Sequence, residues 1–145
     1  MANSVSEVLL TEKPLEAAAS DRVSPSVGAS VDFCGIVREM ENGNALEGIE
    51  YEAHAEMAYH QMKLIADAAV AKFGLEKVLL HHRMGFVLTG ETSLFLRVCA
   101  SHRGEAFEAS KWIVDELKKK VPIWKKPRFH ARQVGKAADM ASTAL

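Results

Sequence analysis

The chain has 145 residues, enough for one domain with its own core and too few for two. Hydrophobic residues make up 48% and charged residues 26%, a globular composition that excludes disordered and fibrous classes, and no apolar run approaches the ~20 residues of a membrane-spanning helix. Eighteen Lys and Arg against nineteen Asp and Glu give a formal net charge of −1, so the chain as a whole has no general attraction for nucleic acid or a membrane surface.

In chain order, the first thirty residues read as a short strand over residues 8–10, an alanine-rich helix opened by Pro14, and a turn around Ser24, Pro25 and Gly28. Glu7, Glu12 and Glu16 interrupt any apolar leader, which points to a cytoplasmic protein. Residues 30–37 form a compact apolar run with β-branched content, read as a strand ending at Arg38. Residues 39–45, with Asn42, Gly43 and Asn44, read as a turn or mobile loop. Residues 46–53 then alternate, with Ile49, Tyr51 and Ala53 on one face and Glu50 and Glu52 on the other.

Ala58, Met62, Ile65, Ala69 and Phe73 fall at spacings of three and four, which predicts an amphipathic helix over 55–73 with Gly74 as its C-terminal cap. Residues 77–84 and 92–101 read as two strands separated by a turn containing Gly85 and Gly90-Glu91, with Leu94, Leu96, Val98 and Ala100 on one face. Helical spacing returns over 104–120 through Ala106, Ser110, Ile113 and Leu117, and Pro122 stops it. Beyond Lys126 the periodic signal fades, and the small residues from Gly135 read as a frayed tail. Hairpin-like neighbours mixed with helical crossovers make this an α+β fold, one domain over 1–134 with a mostly antiparallel sheet and a flexible tail over 135–145. Cys34 and Cys99, both inside strand-like runs, read as buried core thiols.

The densest chemistry lies in Lys118-Lys119-Lys120-Val121-Pro122-Ile123-Trp124-Lys125-Lys126. Lysines in a helix's last turn are favoured by its dipole, so 118–120 read equally as a solvated helix end or as one side of an anion site. An anchored Trp124 after the proline would hold Lys125 and Lys126 near Lys118, and mutual repulsion would favour a neutral amine able to act as nucleophile or acid/base. Ser101-His102-Arg103-Gly104 sits where a strand hands over to a helix, a place where backbone N–H groups, imidazole and guanidinium can meet an anion or where the helix is merely capped. Arg38 is a third candidate anion contact. Adjacent His81 and His82 point to opposite faces of a strand and no zinc-ligand spacing occurs, so neither a metal nor another cofactor is expected.

Taken together, several segments resemble the large catalytic subunit of molybdopterin synthase. They are Val31-Asp32-Phe33-Cys34-Gly35-Ile36-Val37-Arg38, Glu50-Tyr51-Glu52-Ala53-His54 with Met57-Ala58, His82-Arg83-Met84-Gly85, Gly90-Glu91, Ser101-His102-Arg103 with Ala106-Phe107, and the lysine-rich segment, with Pro-Ile-Trp-Lys-Lys the most diagnostic. The resemblance implies an α/β-hammerhead fold and an enzyme that installs the two dithiolene sulfurs on cyclic pyranopterin monophosphate. It also implies a small ubiquitin-like partner that delivers sulfur as a C-terminal Gly-Gly thiocarboxylate, with two large subunits at the centre of a heterotetramer.

Under that resemblance Lys118 and Lys125 match the two essential lysines, and Arg38, His102 and Arg103 match the positions that bind the substrate's phosphate. Ile36, Val37, Lys126 and Pro127 match positions lining the same pocket. The chain departs from the family at Pro127, where an acidic residue is usual, and over residues 129–134, where a Trp-containing strand is expected. The competing functions are a non-catalytic phosphate- or nucleic-acid-binding module using the lysines and Trp124, and an inactive scaffold for the small subunit.

Overall fold

The computed structural model of the chain describes residues 5–16, 24–130 and 143–144. Its elements run β1 (Ser6–Thr11), β2 (Ala29–Ile36), β3 (Met40–Glu41), β4 (Asn44–Ala53), α1 (Ala55–Phe73), β5 (Lys77–Arg83), β6 (Gly85–Leu88), β7 (Thr92–Ala100), α2 (Arg103–Lys120), β8 (Ile123–Phe129) and β9 (Thr143–Ala144). The first sheet has the order β1-β5-β7-β2, antiparallel except for the parallel β1–β5 pair. The second runs β3-β4-β8-β9, with β6 also paired to β4. The α+β class and the dominance of antiparallel pairing agree with the expectation from sequence.

Both helices pack on one face of the first sheet, α1 over β1 and β5 and α2 over β7 and β2, and they touch each other. Met62, Ile65 and Ala69 from α1 and Ala106, Ile113 and Leu117 from α2 meet Val78, Leu80, Leu96 and Val98 in the core. Helix α1 starts where His54 accepts the Met57 N–H and stops at Gly74, whose φ of 65° is the left-handed cap that glycine supplies without penalty. Helix α2 ends at Lys120, two residues before Pro122, as the missing N–H and ring of the proline require. Among the described residues no helix is long and apolar enough to cross a membrane.

Of the turn or mobile loop read over 39–45 the structure has the turn, Asn42 (φ 51°) and Gly43 (φ 81°) joining β3 to β4 in a tight hairpin. Two expectations are corrected. Cys34 is exposed, because β2 is an edge strand and Cys34 projects from the sheet face away from the helices, whereas Cys99 is buried as expected. The chain beyond Lys126 continues as β8, whose lysines and Pro127 conceal a strand from any apolar period. The helix opened at Pro14 falls mostly outside the described residues, and residues 14–16 have no regular structure. Most of the tail from Gly135 also lies outside them, while β9 pairs with Trp124 and Lys125 of β8.

Candidate active site

Lys118 and Lys125 arrive from different elements. Lys118 lies in the last turn of α2, one residue after buried Leu117. In the same turn Glu116 takes Lys120 at 2.7 Å and Lys119 at 3.7 Å. Lys118 has no such ion pair among the described residues. Lys125 is set by strand alternation: Ile123 and Phe129 are buried and Lys125 lies between them on the inward face, while Trp124, Lys126 and Arg128 face outward. Register puts Lys125 opposite Tyr51. Trp124 is 40% exposed, so it is not the anchor expected from sequence; the ladder to β4 does that work.

The two lysines share a cavity of about 190 Å³ with Phe33, Ile36, Tyr51, His82, Ser93 and Leu94. Among the described residues no carboxylate lines it. His82 is 1% exposed, and burial pushes its imidazole down to about 4, the hydrogen bond to the Arg83 carbonyl only partly opposing this. That carbonyl can only accept, so Nδ1, 2.8 Å away, carries the proton of the neutral ring. The ring meets Tyr51 edge-on at 5.2 Å between centroids. Burial raises the Tyr51 phenol above its ordinary value, against a hydrogen bond with Ser93. Among the described residues the wall therefore presents two lysines in otherwise uncharged surroundings, a setting that favours an anion or a developing negative charge.

The other residues named from sequence are distributed around this centre. Ile36 lines the cavity; Val37, 3% exposed, is packed behind it; and Arg38 follows, exposed, at the exit from β2. Lys126 turns away to Glu52 at 3.2 Å and Arg128 to Glu50 at 3.3 Å, with its guanidinium over the Phe86 ring at 4.0 Å. These pairs break up the continuous cationic strip that a nucleic-acid surface would use. Pro127 faces inward opposite Ile49 but is not among the lining residues. His102 and Arg103 are exposed at the start of α2, with His102 3.7 Å from Glu105. They lie fifteen or more residues from Lys118 on one helix, about 22 Å at 1.5 Å per residue.

Sequence reasoning did not assign Tyr51, His82 or Ser93 to the site. Tyr51 and His82 both lie in family-like segments, and the alternation of β4 already placed Tyr51 on the inward face. For Ser93 no local signal exists, and beyond the family-like segment nothing local brings His82 to the site, because their approach depends on the β5–β7 register, which pairs His82 with Leu94.

Residues 10–120 match the family model described as MoaE protein. The chain belongs to the MoaE family. The match takes in Arg38, His102, Arg103 and Lys118 and ends before Lys125. Among MoaE relatives, the molybdopterin synthase catalytic subunit of Pyrococcus abyssi is 42% identical over 125 residues, covering 83% of this chain and 84% of the relative. That of Pasteurella multocida is 34% identical, covering 84% and 83%. The Aspergillus fumigatus catalytic subunit is longer, and 56% of it is spanned at 39% identity. The molybdopterin synthase structure from Staphylococcus aureus superposes with a TM-score of 0.77 at 26% identity, covering 92% of this chain and 93% of that one. A complex of subunits 1 and 2 of the molybdopterin-converting factor from Helicobacter pylori shares the fold, with a TM-score of 0.62 at 18% identity, covering 90% and 92%.

Proposed function

We propose that this MoaE chain is the catalytic subunit of a molybdopterin synthase, a sulfurtransferase. It moves sulfur from the C-terminal thiocarboxylate of a small ubiquitin-like subunit to cyclic pyranopterin monophosphate, forming the dithiolene of molybdopterin. What carries the reading is the convergence of Lys118 and Lys125 on one cavity that no carboxylate lines among the described residues, in a chain 42% identical to a molybdopterin synthase catalytic subunit. A narrow, side-chain-free Gly-Gly tail suits a cavity of 190 Å³, which is below the ~300–1,000 Å³ typical of small-molecule pockets. Lys118 acts at the reacting carbon as acid/base or transient covalent partner, and Lys125 stabilises negative charge on the thiocarboxylate or the tetrahedral intermediate.

Arg38, His102 and Arg103 bind the phosphate. A single small substrate cannot bridge the ~22 Å between Arg103 and Lys118 of one chain. An antiparallel pairing of two α2 helices about a twofold axis would set His102 and Arg103 of the partner subunit beside Lys118. Phe107 on α2, 61% exposed, and Ile36 at the end of edge strand β2, 55% exposed, supply apolar surface for that pairing. Two large subunits thus form the centre of a heterotetramer.

The test is reconstitution of the full chain with thiocarboxylated small subunit and cyclic pyranopterin monophosphate. Dithiolene product is expected. An intact complex of the two subunits that binds the pyranopterin and yields no product would leave the scaffold reading in its place.

A further inference from the structure

The turn between β6 and β7 is organised by one carboxylate. Glu91 Oε1 accepts the Leu88 backbone N–H at 2.9 Å and Arg83 Nη1 at 3.0 Å, so the same group closes the turn and ties it to β5. The Leu88 N–H and then Arg83 hold this carboxyl below its ordinary value. Gly90, at φ 88°, supplies the left-handed residue the turn needs.

The backbone of this turn grips the chain leaving β2. The Val37 N–H donates to the Glu91 carbonyl at 3.0 Å, and the Gly90 N–H donates to the Val37 carbonyl at 2.8 Å. The grip comes just past the register shift between Gly35 and Ile36, where the β2–β7 ladder ends. Val37 is buried, and its two chain neighbours are Ile36, which lines the lysine cavity, and Arg38, which is exposed.

We propose that Glu91 is the positioning residue for Arg38: its side chain fixes the turn, the turn fixes both backbone groups of Val37, and Arg38 is thereby aimed at the substrate's phosphate. This rests on the phosphate role given to Arg38 above. An oriented guanidinium loses less freedom on binding than one on a loose segment, so the effect falls on substrate affinity.

The experiment measures KM and kcat for the pyranopterin with the reconstituted complex. Glu91→Ala raises KM about tenfold while kcat changes less than about twofold, the pattern of lost binding without lost transition-state chemistry. Glu91→Gln, which keeps an acceptor oxygen for both donors, stays within about threefold of the wild-type KM. In an Arg38→Ala background Glu91→Ala adds no further increase, because the two act through one contact. Glu91→Asp, too short to reach both donors, gives the same test if the alanine variant does not fold. Additive KM effects, or an unchanged KM in a folded Glu91→Ala or Glu91→Asp enzyme whose Arg38→Ala counterpart is impaired, overturn the proposal. An Arg38→Ala enzyme with normal KM removes the phosphate role of Arg38 and this inference together.

Discussion

Tyr51 stands directly opposite Lys125 across the β4–β8 ladder, and its ring lies edge-on to His82. Lys125 thus owes its inward direction to strand alternation, and its neutral surroundings to a phenol and an imidazole that burial keeps uncharged. A lysine one position earlier or later on β8 would face solvent, as Trp124 and Lys126 do.

Lys118→Ala is expected to fold and bind the small subunit normally, since Lys118 is exposed, while product formation falls about 100-fold or more, the scale of a lost acid/base group. Near-normal single-turnover product with pre-loaded thiocarboxylate would sink the assignment.

Arg103→Ala is expected to raise KM about tenfold and leave kcat nearly intact. At substrate well below KM, where Arg103→Ala dimers retain only about a tenth of wild-type activity, subunit exchange between Arg103→Ala and Lys118→Ala chains should raise activity to about a quarter of wild type, because half the dimers are mixed and each has one intact composite site. No recovery in demonstrably mixed dimers would place the whole site within one chain.

His82 makes stability depend on acid. Its folded value of about 4 lies below the ordinary 6.5, so the contribution is fully present above pH 6.5 and is lost as pH falls to about 4. A shift of that size is worth about 3 kcal/mol. Denaturant titrations from pH 7 to pH 4 should show wild type losing more stability than His82→Gln; parallel losses would mean that His82 does not titrate with folding.

Gly48→Ala is expected to destabilise the second sheet by about 1–3 kcal/mol, the scale of overpacking. A Cβ there would meet the Val87 carbonyl at 2.4 Å and the Phe86 ring at 2.6 Å, on the strand that carries Tyr51. An unchanged melting temperature would show that β6 yields without cost.

The elements that bury a continuous face were legible in the sequence: α1 by its spacing of three and four, α2 by the same spacing and Pro122, and β4 by alternation. Strand β8 was not, because its inward positions include Lys125 and Pro127 and its strand character comes from pairing with β4. The lysines of the site stood out by their density, and the resemblance gave Lys125 and Lys126 different roles; the physical ground for a difference comes only with the register, which puts Lys125 inside and Lys126 against Glu52. The exposure of Cys34 depends on β2 being an edge strand, a property of sheet order that no local pattern carries.

Helix α2 carries proposed site residues at both ends, His102 at its N-cap and Arg103 at its first position, and Lys118 in its last turn. Each inserted or deleted residue would turn one end against the other by about 100° and shift it by 1.5 Å. Its outer positions are therefore open to substitution while its residue count is not, and across functional homologues α2 should drift in composition at constant length.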